Sequence, residues 1–305
     1  MIRLTFLGTG AAVPSVERNV TSLLLEREGE AILFDCGEGT QRQMMRYATG
    51  FSISDIFFTH YHADHTLGLP GLLRTMAFQD RSAPLRLWGP PDARKHLGVL
   101  VGLGMERPRF EVSISELEPG QAIERGDHAI VAAEARHKGR CQGYALVESE
   151  RLGRFDPDRA RAMGIPEGRL WGAIHRGETV TLPDGRRVGP AELVGPRRPG
   201  RKVVISGDTT PCDSIREIAR GADLLVHEAT FGADERQRAA ETKHSTAHDA
   251  ATIARDAGAR RLVLTHISAR YSREAPELLE EARAVFDETV IARDGLVVEV
   301  PYADS

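Results

Sequence analysis

The chain has 305 residues, 41% of them apolar and 28% charged, and a net charge of −4 at neutral pH, a balance that excludes a disordered or fibrous polymer. No window approaches the roughly 18 to 20 apolar residues of a membrane span, and the opening run is too short for a secretory signal, so a cytoplasmic protein without a membrane partner is expected. Cys36, Cys141 and Cys212 are odd in number, far apart and without a C-x-x-C pair, which points to neither a disulfide framework nor a thiolate zinc site.

In chain order, short apolar runs between turn residues predict strands over residues 2–7, 22–26, 31–34 and 55–59. A helix follows over 67–78, then a strand over 85–88 and a helix at about 92–101. Further strands are expected over 128–135, 143–147, 202–206, 223–227, 261–265 and 295–300. Apolar residues at helical spacing predict helices over 212–220, 246–257 and 276–286. Consecutive strands dominate the first half and strand alternates with helix in the second, a pattern that fits an α/β fold built as an αββα sandwich.

Residues 153–200 break the alternation, with nine Gly, six Pro and turn pairs such as Pro183-Asp184-Gly185. One domain spanning 1–305 is expected, with this stretch as a protruding Gly/Pro-rich arm. From Arg151 to Lys202 there are 12 Arg and Lys against 6 Asp and Glu, a local balance of +6 that leaves −10 for the remainder. The acidic total argues mildly against nucleic acid, but its distribution makes this segment a candidate polyanion contact.

The strongest signal is Thr59-His60-Tyr61-His62-Ala63-Asp64-His65, directly after the apolar run Asp55-Ile56-Phe57-Phe58. Three imidazoles and a carboxylate at a strand end can turn and converge on a metal, whereas ordinary surface histidines have no reason to cluster. Four ligands in one loop suit two zinc ions better than one, with His60 and His62 serving one and Asp64 and His65 the other. Three more candidates each follow an apolar strand: His137, Asp208 and His266, with Asp208 able to bridge both ions.

With this set the sequence resembles the metallo-β-lactamase superfamily, whose signature is the same H-x-H-x-D-H run followed by later His, Asp and His ligands. The resemblance implies His60, His62 and His137 on the first zinc, Asp64, His65 and His266 on the second, and Asp208 shared, two Zn2+ per subunit. Along nearly its full length the chain resembles the short form of ribonuclease Z. The likeness is carried by Phe6-Leu7-Gly8-Thr9-Gly10, Phe34-Asp35-Cys36-Gly37-Glu38-Gly39-Thr40-Gln41, His227-Glu228-Ala229-Thr230-Phe231, Lys243-His244-Ser245-Thr246-Ala247 and Leu264-Thr265-His266-Ile267-Ser268-Ala269-Arg270-Tyr271.

That resemblance implies a zinc-dependent endoribonuclease that removes the 3′ trailer from precursor tRNA, leaving a 3′-hydroxyl on the tRNA and a 5′-phosphate on the trailer. It also implies a homodimer whose arm grips the tRNA elbow. Arginines of the arm, among them Arg176, Arg186 and Arg187, are candidates to follow the phosphate backbone. The loop Pro14-Ser15-Val16-Glu17-Arg18-Asn19 resembles one that lies beside the RNA 3′ end, making Arg18 and Asn19 further candidates. Asp64 is expected to ligate zinc and accept a proton from the attacking water, and His244 to protonate the departing oxygen. His227 and Glu228 are expected to orient His244 or a ligand imidazole. The rival readings are another dinuclear zinc phosphodiesterase or arylsulfatase of the same fold, and a non-catalytic RNA-binding protein with a structural metal.

Overall fold

A computed structural model describes residues 1–104, 108–271 and 273–303. They fall into two units, the first made of Met1–Val147 and the chain from Arg201 onward, the second of Glu148–Gly200.

The first unit opens with β1 (Ile2–Gly8), β2 (Ser22–Arg27), β3 (Glu30–Phe34), β4 (Asp55–Phe57), β5 (Leu85–Gly89) and β6 (Val112–Glu116). Next come β7 (Ala122–Glu124), β8 (His128–Glu134) and β9 (Gln142–Glu148). The second unit contributes only the short pair β10 (Val180–Thr181) and β11 (Arg187–Val188). The first unit resumes with β12 (Lys202–Ile205), β13 (Leu224–Glu228), β14 (Leu262–Thr265), β15 (Thr289–Ile291) and β16 (Val297–Val300). One seven-stranded sheet has the order β16-β1-β2-β3-β4-β5-β6 and the other β15-β14-β13-β12-β9-β8-β7.

Three apolar layers make this the αββα sandwich of the metallo-β-lactamase fold. The middle layer joins the sheets face to face, Ile2, Leu4, Phe34 and Phe57 of one meeting Tyr144, Val203, Val226 and Val263 of the other. Outside the first sheet, Leu69, Leu72, Leu73 and Met76 of the helix Leu69–Phe78 cover Leu33, Ile56 and Leu87. Outside the second, Ala250, Ala251, Ile253 and Ala254 of the helix Ala247–Ala257 cover Leu225, Leu262 and Leu264. Central strands are therefore buried on both faces, which is why Leu224-Leu225-Val226 of β13 and Leu262-Val263-Leu264 of β14 read as continuous apolar runs rather than alternating ones.

Thr246 caps the helix Ala247–Ala257 by accepting from the Asp249 amide while the Asp249 carboxylate accepts from the Thr246 amide, and Gly258, at φ +65°, ends it. The cap fixes the segment that carries His244. The helix expected over 67–78 runs from Leu69 to Phe78, with a separate short helix Ala63–Thr66 ahead of it, and the strand expected to reach Thr59 ends at Phe57. β6, β7 and β15 and the helix Thr40–Arg46 are additions to the sequence reading. All are too short to show a period.

The second unit holds helices Pro157–Ala162, Arg169–His175 and Pro190–Leu193 beside its strand pair. Ala160, Ile165, Ile174, Leu182, Val188 and Leu193 form its own small core, in a stretch whose sequence shows little periodicity. Several of its exposed arginines face acids: Arg161 faces Asp158 and Glu167, Arg176 faces Glu178, and Arg186 faces Asp184.

Candidate functional site

The chemistry gathers where strand ends of the two sheets meet in the first unit. Asp35 follows β3, His60 follows β4, His137 follows β8, Asp208 follows β12, Glu228 ends β13 and His266 follows β14. His62, Asp64 and His65 come from the turn and short helix beyond β4. Parallel strands within each sheet deliver their carboxyl ends to one side, so residues far apart in sequence converge. Asp35 and His266 take left-handed backbone conformations, φ +57° and +56°, that non-glycine residues seldom adopt. Strain of this kind is tolerated where the surrounding structure fixes a functional side chain.

Asp208 is the hub. Its Oδ2 lies 3.6 Å from His60 Nε2, 3.4 Å from His65 Nε2, 3.9 Å from His137 Nε2 and 3.3 Å from His266 Nε2. Asp64 Oδ2 is 3.5 Å from His65 Nε2 and 3.4 Å from His266 Nε2. His62 Nδ1 faces His60 Nε2 at 2.9 Å and His137 Nε2 at 3.3 Å. Donor separations of this size match the edges of a tetrahedron around an ion held at about 2.1 Å. His60, His62, His137 and Asp208 form one group able to hold a metal ion, and Asp64, His65 and His266 another.

The imidazoles are held from behind. His137 Nδ1 donates to the Lys243 carbonyl at 2.7 Å and His65 Nδ1 to Asp35 Oδ2 at 2.7 Å. Thr59 Oγ1 donates to Asp35 at 2.8 Å, which leaves its lone pair for His60 Nδ1–H at 3.0 Å. Thr230 Oγ1 likewise donates to Glu228 Oε2 at 2.7 Å and accepts from His266 Nδ1–H at 2.8 Å. Two carboxylate–threonine pairs thus fix four rings, Asp35 with Thr59 behind His60 and His65, Glu228 with Thr230 behind His266 and His244. With only the outer nitrogen protonated, the rings of His60, His65, His137 and His266 would each present an unprotonated Nε2 to the cluster, the state a metal requires. Among the described residues the buried His65 Nε2 has no hydrogen-bond partner, an orphan that a cation would satisfy.

Electrostatics agrees with this donor set. Burial alone would push the Asp208 carboxyl up, but the imidazoles of His266, His65 and His60 outweigh it and hold it well below the usual carboxylate range. Asp64 is lowered as well, its burial overcome by His266 and His65. Burial holds His60 well below the ordinary imidazole range. Two ionised, nearly dry carboxylates demand positive charge at the same place, which a divalent ion supplies.

His244 adjoins the cluster, its ring 4.5 Å from that of His137 and 5.2 Å from that of His266. Its Nδ1 donates to Glu228 Oε1 at 2.7 Å. Burial opposes its charge, but Glu228 overcomes this and raises the ring to about 9. Glu228 also accepts from the amides of Thr209 and Thr230, so its carboxylate is fully engaged.

His227 does not join Glu228 in this task. Neighbouring strand residues point to opposite faces, so the His227 ring lies buried on the other face of β13 and bonds the Glu228 carbonyl at 2.7 Å. Arg18 also departs from expectation as an RNA contact. It is 3% exposed, and its guanidinium donates to Thr9 and to the carbonyls of Ala292 and Arg273, bracing the loop from inside. Asn19 bonds the Glu38 carbonyl and, through its amide, Asp294. Arg176, Arg186 and Arg187 lie in the second unit and are exposed. Sequence reasoning passed over Asp35, Thr59 and Thr230 as site residues, although each is a polar residue just after an apolar strand, the signal that singled out His137, Asp208 and His266.

Residues 2–137 match the family described as Anti-Pycsar protein Apyc1, and residues 174–267 match the Beta-lactamase superfamily domain. The chain is 58% identical to the Ribonuclease Z of Gemmatimonas aurantiaca, over 98% of this chain and 96% of that protein. It is 51% identical to the Ribonuclease Z of Myxococcus xanthus, over 100% of this chain and 99% of the relative. Among solved structures, human tRNase Z, short form, superposes with a TM-score of 0.71 at 29% identity, covering 98% of this chain and 99% of its own. The metallo-β-lactamase fold protein YhfI of Bacillus subtilis reaches the same TM-score at 20% identity, over 97% and 98% of the two chains, and bears on fold alone.

Proposed function

The chain belongs to the ribonuclease Z family and is a hydrolytic tRNA endonuclease, and from that premise we propose that it removes the 3′ trailer of precursor tRNA using two zinc ions. The products are a tRNA with a 3′-hydroxyl and a trailer with a 5′-phosphate. The observation that carries this reading is Asp208 Oδ2 lying within 3.9 Å of four inward-facing imidazole nitrogens. His60, His62 and His137 would hold one ion, Asp64, His65 and His266 the other, and Asp208 both. When bound, such ions supply Lewis acidity, lowering the pKa of water and offsetting the charge of a phosphodiester.

The protein's own groups then divide the proton work. Asp64 is steadied by the Ala12 amide, which donates to its Oδ2 at 2.8 Å, and it orients the attacking water and takes its proton. His244, fixed at Nδ1 by Glu228, presents Nε2–H to the departing 3′ oxygen of the tRNA. The unit Glu148–Gly200 serves as the tRNA-gripping arm on the catalytic domain, with Arg176, Arg186 and Arg187 offered to phosphates. No helix among the described residues is long and apolar enough to cross a membrane. The working form on this reading is a cytoplasmic homodimer.

The test is incubation of purified protein with a 3′-extended precursor tRNA, with mapping of the cut ends, beside the Asp64→Ala variant and a variant lacking residues 153–200. Cleavage at the trailer junction, lost in Asp64→Ala, supports the reading. The deletion is expected to abolish precursor cleavage while sparing bis(p-nitrophenyl) phosphate hydrolysis. Equal loss or equal retention of both activities would remove the arm from the account, and an uncut precursor would remove the tRNA reading itself.

A further inference from the structure

A cavity of about 230 Å³ opens beside the candidate centre, with His244 and His266 on one side and the turn Ala11-Ala12 among its other lining residues. Phe231, Thr242 and Ser268 line it too, together with two arginines that the chemistry above does not use, Arg238 and Arg270. Both arginines are exposed, and both are carried on anchored backbone. Arg238 lies in the helix Arg236–Thr242, where Thr242 Oγ1 donates to its carbonyl at 2.7 Å, and its guanidinium lies 6.0 Å from the Phe231 ring centre. Arg270 follows His266 by four residues, and the adjoining Tyr271 hydroxyl accepts from the Gly232 amide at 2.8 Å. Arg270 faces one acid, Glu235, at 3.0 Å, with both side chains at least a third exposed. A solvated pair of that kind holds its arginine weakly and releases it readily to a stronger anion.

Two guanidinium groups and the hydroxyls of Thr230, Thr242 and Ser268 around a concave space beside two imidazoles describe a site for a phosphate. His244 marks which phosphate. If it protonates the departing 3′ oxygen, the cavity beside it lies on the leaving-group side and faces the nucleotide that the tRNA keeps. We propose that Arg238 and Arg270 bind the phosphodiester on the 5′ side of the last retained nucleotide, one linkage before the bond that is cut. They are specificity residues on this account, fixing the cut by gripping the chain one step upstream. The inference rests on the tRNA reading above and assigns its substrate contacts.

The experiment uses the full chain and precursor tRNA carrying one uncharged methylphosphonate, placed at that linkage or, as a control, one linkage into the trailer. kcat/KM is measured for the wild type and for Arg238→Gln, Arg270→Gln, Arg270→Lys and the double glutamine variant. The upstream methylphosphonate should cost the wild type about 10- to 100-fold, the size of a charge-assisted contact. In the double glutamine variant the same modification should cost less than about threefold, because the contact is already gone. The trailer modification should show no such coupling. The slope of log Kd against log salt should fall by about 0.7 for each arginine lost, while Arg270→Lys should keep the wild-type slope. A merely structural arginine would leave both the slope and the coupling unmoved. Fully multiplicative effects of arginine and methylphosphonate would overturn this inference while leaving the tRNA reading intact. A wild type that does not cut the unmodified precursor would overturn both.

Discussion

Replacing Asp35 with asparagine changes one oxygen into an amide nitrogen at nearly constant volume, behind two of the residues assigned to metal. Asp35 Oδ1 accepts from the Thr59 amide at 2.8 Å, while Oδ2 accepts from Thr59 Oγ1 at 2.8 Å and His65 Nδ1 at 2.7 Å. Asparagine can serve only one side of this arrangement. With its oxygen toward the Thr59 amide, its NH2 confronts two donors; flipped, it confronts the Thr59 amide. His65 can escape by moving its proton to Nε2, but that nitrogen then points a hydrogen at Asp64 and Asp208 and is lost as a ligand. Losing one charge-assisted bond costs about 1.5–3 kcal/mol, which corresponds to roughly 10- to 100-fold in metal affinity. Asparagine rather than alanine isolates this effect, since residue 35 sits at φ +57° and asparagine tolerates that region better. The assay is zinc titration against a competing chelator, with turnover followed at limiting and saturating zinc. Weaker binding, with activity partly recovered by excess zinc, is expected. Unchanged affinity would refute the claim that Asp35 sets the protonation of His65.

Three further predictions concern different parts of the molecule. His244→Ala should lower kcat by about 10²- to 10⁴-fold with metal content retained; an unchanged kcat in single-turnover assays would remove it as the proton donor. Asp55 is buried and accepts from Arg86 and Trp88 and pairs with Arg125, and although burial opposes its charge, these donors lower its carboxyl to about 2. A lowered folded-state pKa contributes stability above the ordinary carboxylate range that is lost as pH falls toward 2, so Asp55→Asn should cost on the order of 2 kcal/mol at neutral pH and progressively less in acid. Parallel urea-unfolding profiles for the two proteins from pH 7 down to 3 would contradict it. Gly207, next to Asp208, sits at φ +61°, and an added Cβ would lie 2.8 Å from Thr59 Cβ. Gly207→Ala should therefore lower stability by about 2 kcal/mol and Tm by roughly 4–8 °C, together with zinc content, and a wild-type Tm would show the contact to be unimportant.

The sequence carried the sandwich and the gathering of ligand-type residues because both leave dense local signals. His60, His62, Asp64 and His65 fall within six residues, and His137, Asp208 and His266 each end an apolar run, so their convergence follows from strands whose ends share one side. What lay beyond reading depended on partners distant in sequence. Asp35 matters through His65, 30 residues away, and Thr230 through His266, 36 residues away, and neither residue type announces a relay. His227 was assigned with its neighbour because the motif is contiguous, whereas β13 sends the two side chains to opposite faces. Arg18 is a candidate because its loop resembles one beside an RNA 3′ end, yet its partners are Thr9 and the backbone carbonyls at positions 273 and 292, and the two distant ones are revealed by no local pattern. In residues 148–200, helices of four to seven residues are too brief to print a period on the sequence.

The count of metal ions per chain tests the central claim most directly. Elemental analysis of exhaustively dialysed wild-type protein should find two zinc ions per chain, falling to one or none when Asp208, the carboxylate proposed to serve both ions, is replaced by alanine. A folded wild type that retains no zinc from saturating solution, or an Asp208→Ala variant that keeps both ions, would contradict it.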